Sequence, residues 1–390
     1  MTGRPKRVSI LGATGSIGAS TAALLEAAPA GAFEVVALVA GRDSARLAEM
    51  AVRLSARRAV VADPGGYAAL KQALSGTGIA AAAGREAVLE AAAEPADWTM
   101  AAIVGAAGLE PTLAACADGR AVALANKEAL VSAGEVFLAA ARQAGATLLP
   151  VDSEHNAIFQ AMGGRAAKGV EKIVLTASGG PFRTWSRAQM AAVTPAMAVR
   201  HPVWSMGAKI SVDSATMFNK GLEVIEAARL FGLPEERIGV LVHPQSTVHG
   251  LVHFADGSVL AELGSPDMRT PIAHALAWPE RMPAPVATLD LAAIGRLEFF
   301  PPDPERFPAL TLARDALRAG GGAPTILNAA NEVAVARFLA GRLPFLAIAE
   351  LVGQALERLG APPVADLAAV LALDAEARRL AGSLADRLAA

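Results

Sequence analysis

Residues 8–18 read VSILGATGSIG, a short β-rich apolar run that breaks into the glycine turn Gly12-Ala-Thr-Gly15-Ser-Ile-Gly18. A helical pattern follows, with Leu24 and Leu25 on its apolar face. Strand, glycine turn and helix in that order form the context of a dinucleotide fingerprint. Glycines permit a tight turn and close backbone approach, and the helix N-terminus offers free N–H groups and partial positive charge to a pyrophosphate. Thr14 and Ser16 add hydroxyl donors. The spacing is G-x-x-G-x-x-G rather than G-x-G-x-x-G, so the turn by itself is a less specific signal. Working outward, a second strand over residues 33–39 ends in Ala40-Gly41-Arg42-Asp43, where NAD-binding folds place an acid for the ribose 2′-hydroxyl. Arg42 suits a 2′-phosphate and favours NADP, whereas Asp43 beside it pulls the other way. Further strands are expected over residues 59–62, 100–104, 121–125 and 147–151, alternating with helices. That alternation argues an α/β fold with a doubly wound parallel sheet and ligands at the carboxyl ends of its strands. The turn at residues 105–108 and the run Asn126-Lys127-Glu128 fall at such ends.

The 390 residues carry a formal net charge of −2 and no run of Lys or Arg, so there is no electrostatic footprint for nucleic acid. No uninterrupted apolar run is long enough to span a bilayer, which excludes a membrane partner. The basic start MTGRPKR gives way at once to VSILGATG, without the apolar segment of a signal peptide. One cysteine, Cys116, excludes an intramolecular disulfide and any cysteine-only metal site, and its alanine-rich surroundings predict a buried helical position. The chain reads as a reduced, soluble, cytoplasmic protein.

The middle third carries the polar chemistry. The strand at 147–151 runs into Asp152-Ser153-Glu154-His155. In extended backbone, residues two apart point the same way, so both carboxylates would share one side. Like charges aimed at one spot call for a cation between them, and an all-oxygen donor set suits Mg²⁺ or Mn²⁺. Residues 172–177 form a strand ending in Ser178-Gly179-Gly180, whose N–H groups can cradle an anion. The helix after residue 217 repeats Phe218, Leu222 and Ile225 and stops at Gly232 and Pro234. Asn219, Glu223 and Glu226 share one of its faces, with Lys220 at the border. A solvated face with ordinary charge pairs is the plainer reading of that helix. Ser178, Ser214, Asn219 and Lys220 together would supply enough donors for a phosphate monoester, and Trp204, Met206 and Gly207 suit a loop that closes over a ligand. Strands follow at 238–243, 247–254 and 259–263, with Asp256-Gly257 as a hairpin turn and Asp267 as an N-cap.

Together these residues resemble the 1-deoxy-D-xylulose 5-phosphate reductoisomerase family. The resemblance runs in order through GATGSIG, ANKEALV, VDSEHNAIFQ, LTASGGPF, HPVWSMG, SVDSATMFNKGLE, HPQSTVHG, SPDMRTPIA and LNAANEVAV, over essentially the whole chain. It implies a divalent cation (Mg²⁺, Mn²⁺ or Co²⁺) held by Asp152, Glu154 and Glu223, with Glu226 nearby. It implies a sugar-phosphate substrate bound by Ser178, Ser214, Asn219 and Lys220, with His201, Ser246 and His249 beside them. Ser153 and Lys127 would meet the substrate's oxygens, and Trp204 and Met206 would sit on the lid. NADPH would be lined by Thr14, Gly15, Ser16, Ile17, Gly41, Arg42, Asp43, Asn126, Lys127, Glu128 and Gly207. The implied reaction is a cation-assisted skeletal rearrangement, then reduction by NADPH to 2-C-methyl-D-erythritol 4-phosphate, in isoprenoid biosynthesis, by a homodimer. Many members read Gly-Lys-Asn where this chain has Gly41-Arg42-Asp43.

The same reading divides the chain into a Rossmann-like NADPH-binding domain (1–151), a central α+β catalytic domain with lid and dimerisation sheet (152–288), a Pro-rich linker (289–311) and a small C-terminal helical bundle (312–390). Asn328, Asn331 and Glu332 belong to a family motif with no role derivable from the sequence. Two rival readings account for less of the sequence. A plain NADP-dependent dehydrogenase leaves the carboxylates and phosphate donors idle, and a non-catalytic NADP sensor predicts damage to a polar set that is intact.

Overall fold

Aliphatic runs separated by glycine turns become strands covered on both faces. The computed structural model describes residues 4–163, 167–204 and 206–389. The chain begins β1 (Lys6–Leu11), α1 (Ser16–Ala27), β2 (Phe33–Ala40), α2 (Ser44–Arg53), β3 (Arg58–Val61), α3 (Tyr67–Ala73), β4 (Ala80–Ala83) and α4 (Arg85–Ala93). It continues through β5 (Trp98–Ala101), α5 (Leu109–Ala115), β6 (Ala121–Leu124), α6 (Lys127–Gln143), β7 (Thr147–Pro150) and α7 (Ser153–Ala161). Next come β8 (Val170–Ala177), α8 (Arg187–Met190), α9 (Pro195–Ala198), α10 (Ala208–Thr216), α11 (Phe218–Phe231), β9 (Ile238–Val242), β10 (Val248–Phe254) and β11 (Val259–Leu263). Helices close the chain: α12 (Arg269–Ala277), α13 (Leu291–Ile294), α14 (Ala309–Ala319), α15 (Ala323–Leu339), α16 (Ala347–Leu359) and α17 (Leu367–Leu388).

Two compact units form. The first comprises Met1–Ala129, Phe137–Asn156 and Asp267–Ala287; the second comprises Leu130–Val136, Ala157–Pro266 and Thr288–Ala390. The first holds a parallel sheet in the order β4-β3-β2-β1-β5-β6-β7. Strand order reverses between β1 and β5, the crevice where doubly wound sheets bind ligands. Val8, Ile10, Leu38, Val60, Met100 and Val122 are fully buried, each contributing about 1.5–3 kcal/mol over an exposed side chain. α12 joins this unit from far along the chain: the fully buried Trp98 donates its indole N–H to the Ala275 carbonyl at 2.9 Å.

The second unit holds a mixed sheet, β11-β10-β8-β9, with β8 and β9 parallel and the other pairs antiparallel. Its core is continuous from β8 and α11 through α14, α15, α16 and α17. Within the Pro-rich stretch, Phe300 exchanges two 2.8 Å backbone hydrogen bonds with Val242 and so extends the β9 edge. The expected N-cap at Asp267 moves by one residue: Met268 occupies the N-cap of α12, and the Asp267 carboxylate accepts the Arg269 N–H at 2.9 Å. Cys116 is buried at the C-terminus of α5, its thiol pKa raised to about 11 by burial and its S–H given to the Thr112 carbonyl.

Candidate active site

In the first unit, the glycine turn follows β1 directly. Gly12 has φ of 93°, and a Cβ there would lie 2.4 Å from the Ala102 carbonyl oxygen beyond β5. A Cβ on Gly18 would lie 2.4 Å from the Gly12 carbonyl, so both positions demand glycine. Gly15 is the N-cap of α1, no side chain caps that terminus, and Gly15 and Ser16 are exposed between the half-buried Thr14 and Ile17. Beyond β2, Gly41 and Arg42 are exposed, and the Arg42 guanidinium lies 3.9 Å from the exposed Asp63. Asp43 is occupied: it caps α2, accepting the Arg46 N–H at 3.0 Å.

At the end of β6, the buried Asn126 caps α6 by accepting the Ala129 N–H at 3.1 Å. A Cβ on Gly108 would strike the Asn126 amide nitrogen at 2.0 Å, so the 105–108 turn and Asn126 fit as one piece. Lys127 and Glu128 open α6 and are buried; the Lys127 ammonium lies 2.6 Å from the Asp152 carboxylate.

The extended backbone expected for Asp152 to Glu154 is not found. β7 ends at Pro150 and α7 starts at Ser153, with the Asn156 N–H already donated to the Asp152 carbonyl at 2.8 Å. Asp152 and Ser153, whose side chains compete for backbone hydrogen bonds, favour helix initiation over strand continuation. Asp152 precedes the helix and Glu154 lies in its first turn, yet carboxylate oxygens of the two come within 4.8 Å of each other. Ser153 donates to Glu154 at 2.6 Å. An oxygen-only pair of this kind, already drawing an ammonium, is a fit half-site for a hard cation.

The second unit gathers the other residues. Gly179 and Gly180 have φ of 79° and 69°, and a Cβ on Gly180 would lie 2.8 Å from the Ser214 carbonyl oxygen, so the Ser178 turn fits closely against the end of α10. α10 and α11 are separated by the single left-handed residue Met217, at φ 67°. That break puts Asn219 and Lys220 in the first turn of α11, where both donate to the Glu223 carboxylate. Lys220, Glu223 and Glu226 are 1–3% exposed, which rules out a solvated charge face.

His201 Nε2 lies 2.8 Å from Ser178 Oγ, while its Nδ1 accepts N–H groups from Val203 at 3.2 Å and Trp204 at 2.9 Å. Nδ1 therefore carries no proton, and Nε2–H donates to Ser178. Burial lowers the His201 pKa below 6.5, which agrees with a neutral ring. Ser178 Oγ also accepts the Gly180 N–H at 3.1 Å, so its hydroxyl hydrogen remains to be given to an incoming anion. His249 sits at a register shift of β10, its Nδ1 2.8 Å from Glu262 across the hairpin and its ring 6.2 Å from the half-buried Trp204. Ser246, at φ 50°, is buried in the turn before β10. Met206 is half-buried and Gly207 is the exposed N-cap of α10; Ser205 between Trp204 and Met206 lies outside the described residues.

Asp213, Glu262 and Arg229 are polar partners that the sequence reading does not single out. Asp213 and Asn331 pair at 2.8 Å, Glu262 holds His249, and Arg229 donates to the Leu130 and Val131 carbonyls of α6. Glu262 was within reach by counting back from the Asp256-Gly257 turn. The other two contacts span 98 or more residues and leave no local signal.

The profile of the 1-deoxy-D-xylulose 5-phosphate reductoisomerase family matches residues 8–134; its C-terminal domain profile matches 148–231, and the DXP reductoisomerase C-terminal domain matches 263–380. The reductoisomerase of Rhodospirillum centenum is 60% identical over 379 residues, 97% of this chain and 94% of the relative. That of Gluconobacter oxydans is 61% identical over 377 residues, 96% of this chain and 92% of the relative. Among solved structures, the Zymomonas mobilis reductoisomerase in complex with NADPH aligns at a TM-score of 0.93 and 52% identity, over 99% of this chain and 100% of that one. A DOX-P reductoisomerase in complex with NADPH, fosmidomycin and magnesium aligns at 0.91 and 43% identity, over 98% and 99%.

Proposed function

The chain belongs to the 1-deoxy-D-xylulose 5-phosphate reductoisomerase family, and from that premise we propose how its own side chains share out the reaction. The protein converts 1-deoxy-D-xylulose 5-phosphate to 2-C-methyl-D-erythritol 4-phosphate, using NADPH and a divalent cation. The observation that carries the assignment is a pair of lysine–carboxylate contacts, Lys127 on Asp152 at 2.6 Å and Lys220 on Glu223. Each presents positive charge to a carboxylate assigned to the cation. Asp152, Glu154 and Glu223 are its ligands, and Glu226 is the adjacent carboxylate. When bound, the cation supplies Lewis-acid polarisation of the substrate's carbonyl and hydroxyl oxygens. Besides these carboxylates, Lys220 and Lys127 would also contact the substrate. Lys220 joins Ser178, Ser214 and Asn219 on the phosphate, while Lys127 and Ser153 meet the reacting oxygens, with Lys127 as proton holder.

His201 keeps the Ser178 hydroxyl turned toward the phosphate by filling its oxygen lone pair. Ser246 and His249 border the same pocket, and Trp204, Met206 and Gly207 exclude water from it. Thr14, Gly15, Ser16 and Ile17 would hold the NADPH pyrophosphate, and Arg42, next to Gly41, would pair with its 2′-phosphate. Asp43 is held as a helix cap on the Arg46 N–H and is not paired with Arg42. Asn126 and Glu128 line the remainder of the cofactor. In functional terms residues 1–151 serve the cofactor, 152–288 the cation and substrate, and 312–390 back the catalytic helices behind the linker at 289–311. Two copies pair through the edge strand β11, whose Val259, Leu260 and Leu263 are exposed. Among the described residues no helix is long and apolar enough to cross a membrane, and the one thiol is buried; the protein works in the reducing cytoplasm.

The test follows NADPH absorbance with 1-deoxy-D-xylulose 5-phosphate, with and without Mg²⁺ or Mn²⁺, in the wild type and in Glu223→Gln. Loss of NADPH is expected only with the cation. In the variant turnover should drop about 10³-fold, the several kcal/mol that such charge stabilisation supplies, with NADPH binding retained. Unchanged turnover would remove Glu223 from the cation site, and no NADPH loss from folded wild type with any cation would sink the assignment.

A further inference from the structure

The motif Leu327-Asn328-Ala-Ala-Asn331-Glu332 lies on α15 and has no part in the site described so far. Asn328 and Asn331 are both fully buried. Asn331 donates its amide N–H to the Asp213 carboxylate on α10 at 2.8 Å. Asp213 is itself buried, takes the Lys209 ammonium at 2.8 Å, and directly precedes Ser214. The Asn331 amide oxygen has no hydrogen-bond partner among the described residues. Leaving a buried acceptor unmade costs about 1–3 kcal/mol, whereas an apolar residue of similar shape would carry no such cost. The amide oxygen therefore adds nothing to stability, and what the asparagine contributes is its N–H on the Asp213 carboxylate. A carboxylate can only accept, so Asp213 fixes which end of the amide faces α10.

α10 is thus held at two neighbouring residues. The Ser214 carbonyl is pressed by the Gly180 turn, where a Cβ would come within 2.8 Å, and Asp213 is gripped by Asn331. With α10 only nine residues long and broken from α11 by Met217, these two contacts fix its rotation about its own axis. We propose that Asn331 is a positioning residue for the phosphate pocket: through Asp213 it sets where the Ser214 hydroxyl stands relative to Ser178. This rests on the reading of Ser178 and Ser214 as phosphate ligands. Misplacing a binding group by an ångström costs up to about 10²-fold, so a residue that touches no ligand can still govern affinity.

The experiment measures KM for the sugar phosphate, KM for NADPH, kcat and Tm on the full chain. Asn331→Leu removes the grip without leaving a polar orphan on α15, and Asn331→Asp sets two carboxylates against each other. Both are expected to raise KM for the sugar phosphate by about tenfold, the loss of one hydrogen bond to a charged group, while KM for NADPH stays at the wild-type value. The buried Asp213 carboxylate keeps Lys209 but loses the amide donor, so Asn331→Leu also lowers Tm, and the unchanged KM for NADPH is what a merely structural loss would not give. The exchange Asn331→Asp with Asp213→Asn restores the pair with donor and acceptor reversed, and recovers most of the lost affinity. Unchanged KM for the sugar phosphate in Asn331→Leu, a parallel rise in KM for NADPH, or no recovery in the exchange would overturn the proposal. Ser214→Ala separates the two levels. If it leaves KM for the sugar phosphate unaltered, the pocket reading itself fails. If it raises KM while Asn331→Leu is silent, only the role of Asn331 is lost.

Discussion

At the start of α1 the protein offers a phosphate its backbone, through Gly12, Gly15, Gly18 and a helix end that no side chain caps. Around α10 and α11 it offers side chains instead, Ser178, Ser214, Asn219 and Lys220, spread over 43 positions, one turn and two helices. The first site is local: seven consecutive residues make it, and what it needs most is the absence of Cβ atoms. The second depends on tertiary contacts at its serines, since His201 meets Ser178 across 23 residues and the Gly180 turn abuts the Ser214 carbonyl, while Asn219 and Lys220 are held within α11 by Glu223. A backbone site fails through a clash, and a side-chain site fails through loss of aim.

The sharpest way to break this contrast is Gly12→Ala. The added Cβ meets the Ala102 carbonyl at 2.4 Å in a left-handed conformation, so a loss of about 1–3 kcal/mol is expected. It should appear as weaker NADPH binding and lower Tm, with no change in KM for the sugar phosphate in whatever protein folds. Intact NADPH affinity would mean that the turn does not approach the cofactor. Arg42→Ala comes next. Its side chain is 90% exposed, so its pairing with a 2′-phosphate is discounted to about 1 kcal/mol, roughly fivefold in NADPH affinity. NADH affinity should not move, and the difference should fade with added salt. An equal loss for both cofactors would contradict the 2′-phosphate assignment.

The smallest effect concerns acid. Burial lowers the His201 pKa below its ordinary 6.5. As pH falls through 6.5 the unfolded chain takes up a proton that the folded ring resists, so stability declines until pH drops below the folded value. Denaturant midpoints of the wild type and His201→Phe, compared from pH 7 to pH 5, should converge as the wild type loses this increment. His243 and His253 are also shifted down but are common to both proteins, so the difference isolates His201. A constant gap across that range would show that His201 does not titrate differently on folding.

The same contrast governs what is legible in the sequence. Strands β1, β2, β3, β5, β6 and β7 stood out as aliphatic runs closed by turn or polar residues. β4 is four alanines, Ala80–Ala83, without a β-branched residue, and its strand state comes from pairing with β3. The Gly12 turn was plain because its requirement is written in adjacent residues. Asp152 and Glu154 were recognised by type, but extended geometry was the wrong premise, since α7 nucleates immediately after Asp152. The Asn331–Asp213 pair spans 118 residues, and no periodicity ties one to the other. The compact units also interleave along the chain, which a linear division at composition changes does not anticipate.

That interleaving bears on how the protein is made. Trp98 is completely buried and relies on the Ala275 carbonyl, 177 positions later, for its indole hydrogen bond. At about 5–20 residues per second, a ribosome needs roughly 9–35 s to travel from one to the other. Throughout that interval the nascent sheet has most of its strands but lacks the helix that covers Trp98. The half of the molecule that can be read most directly from its first residues is therefore the one that must wait longest, during synthesis, to be closed.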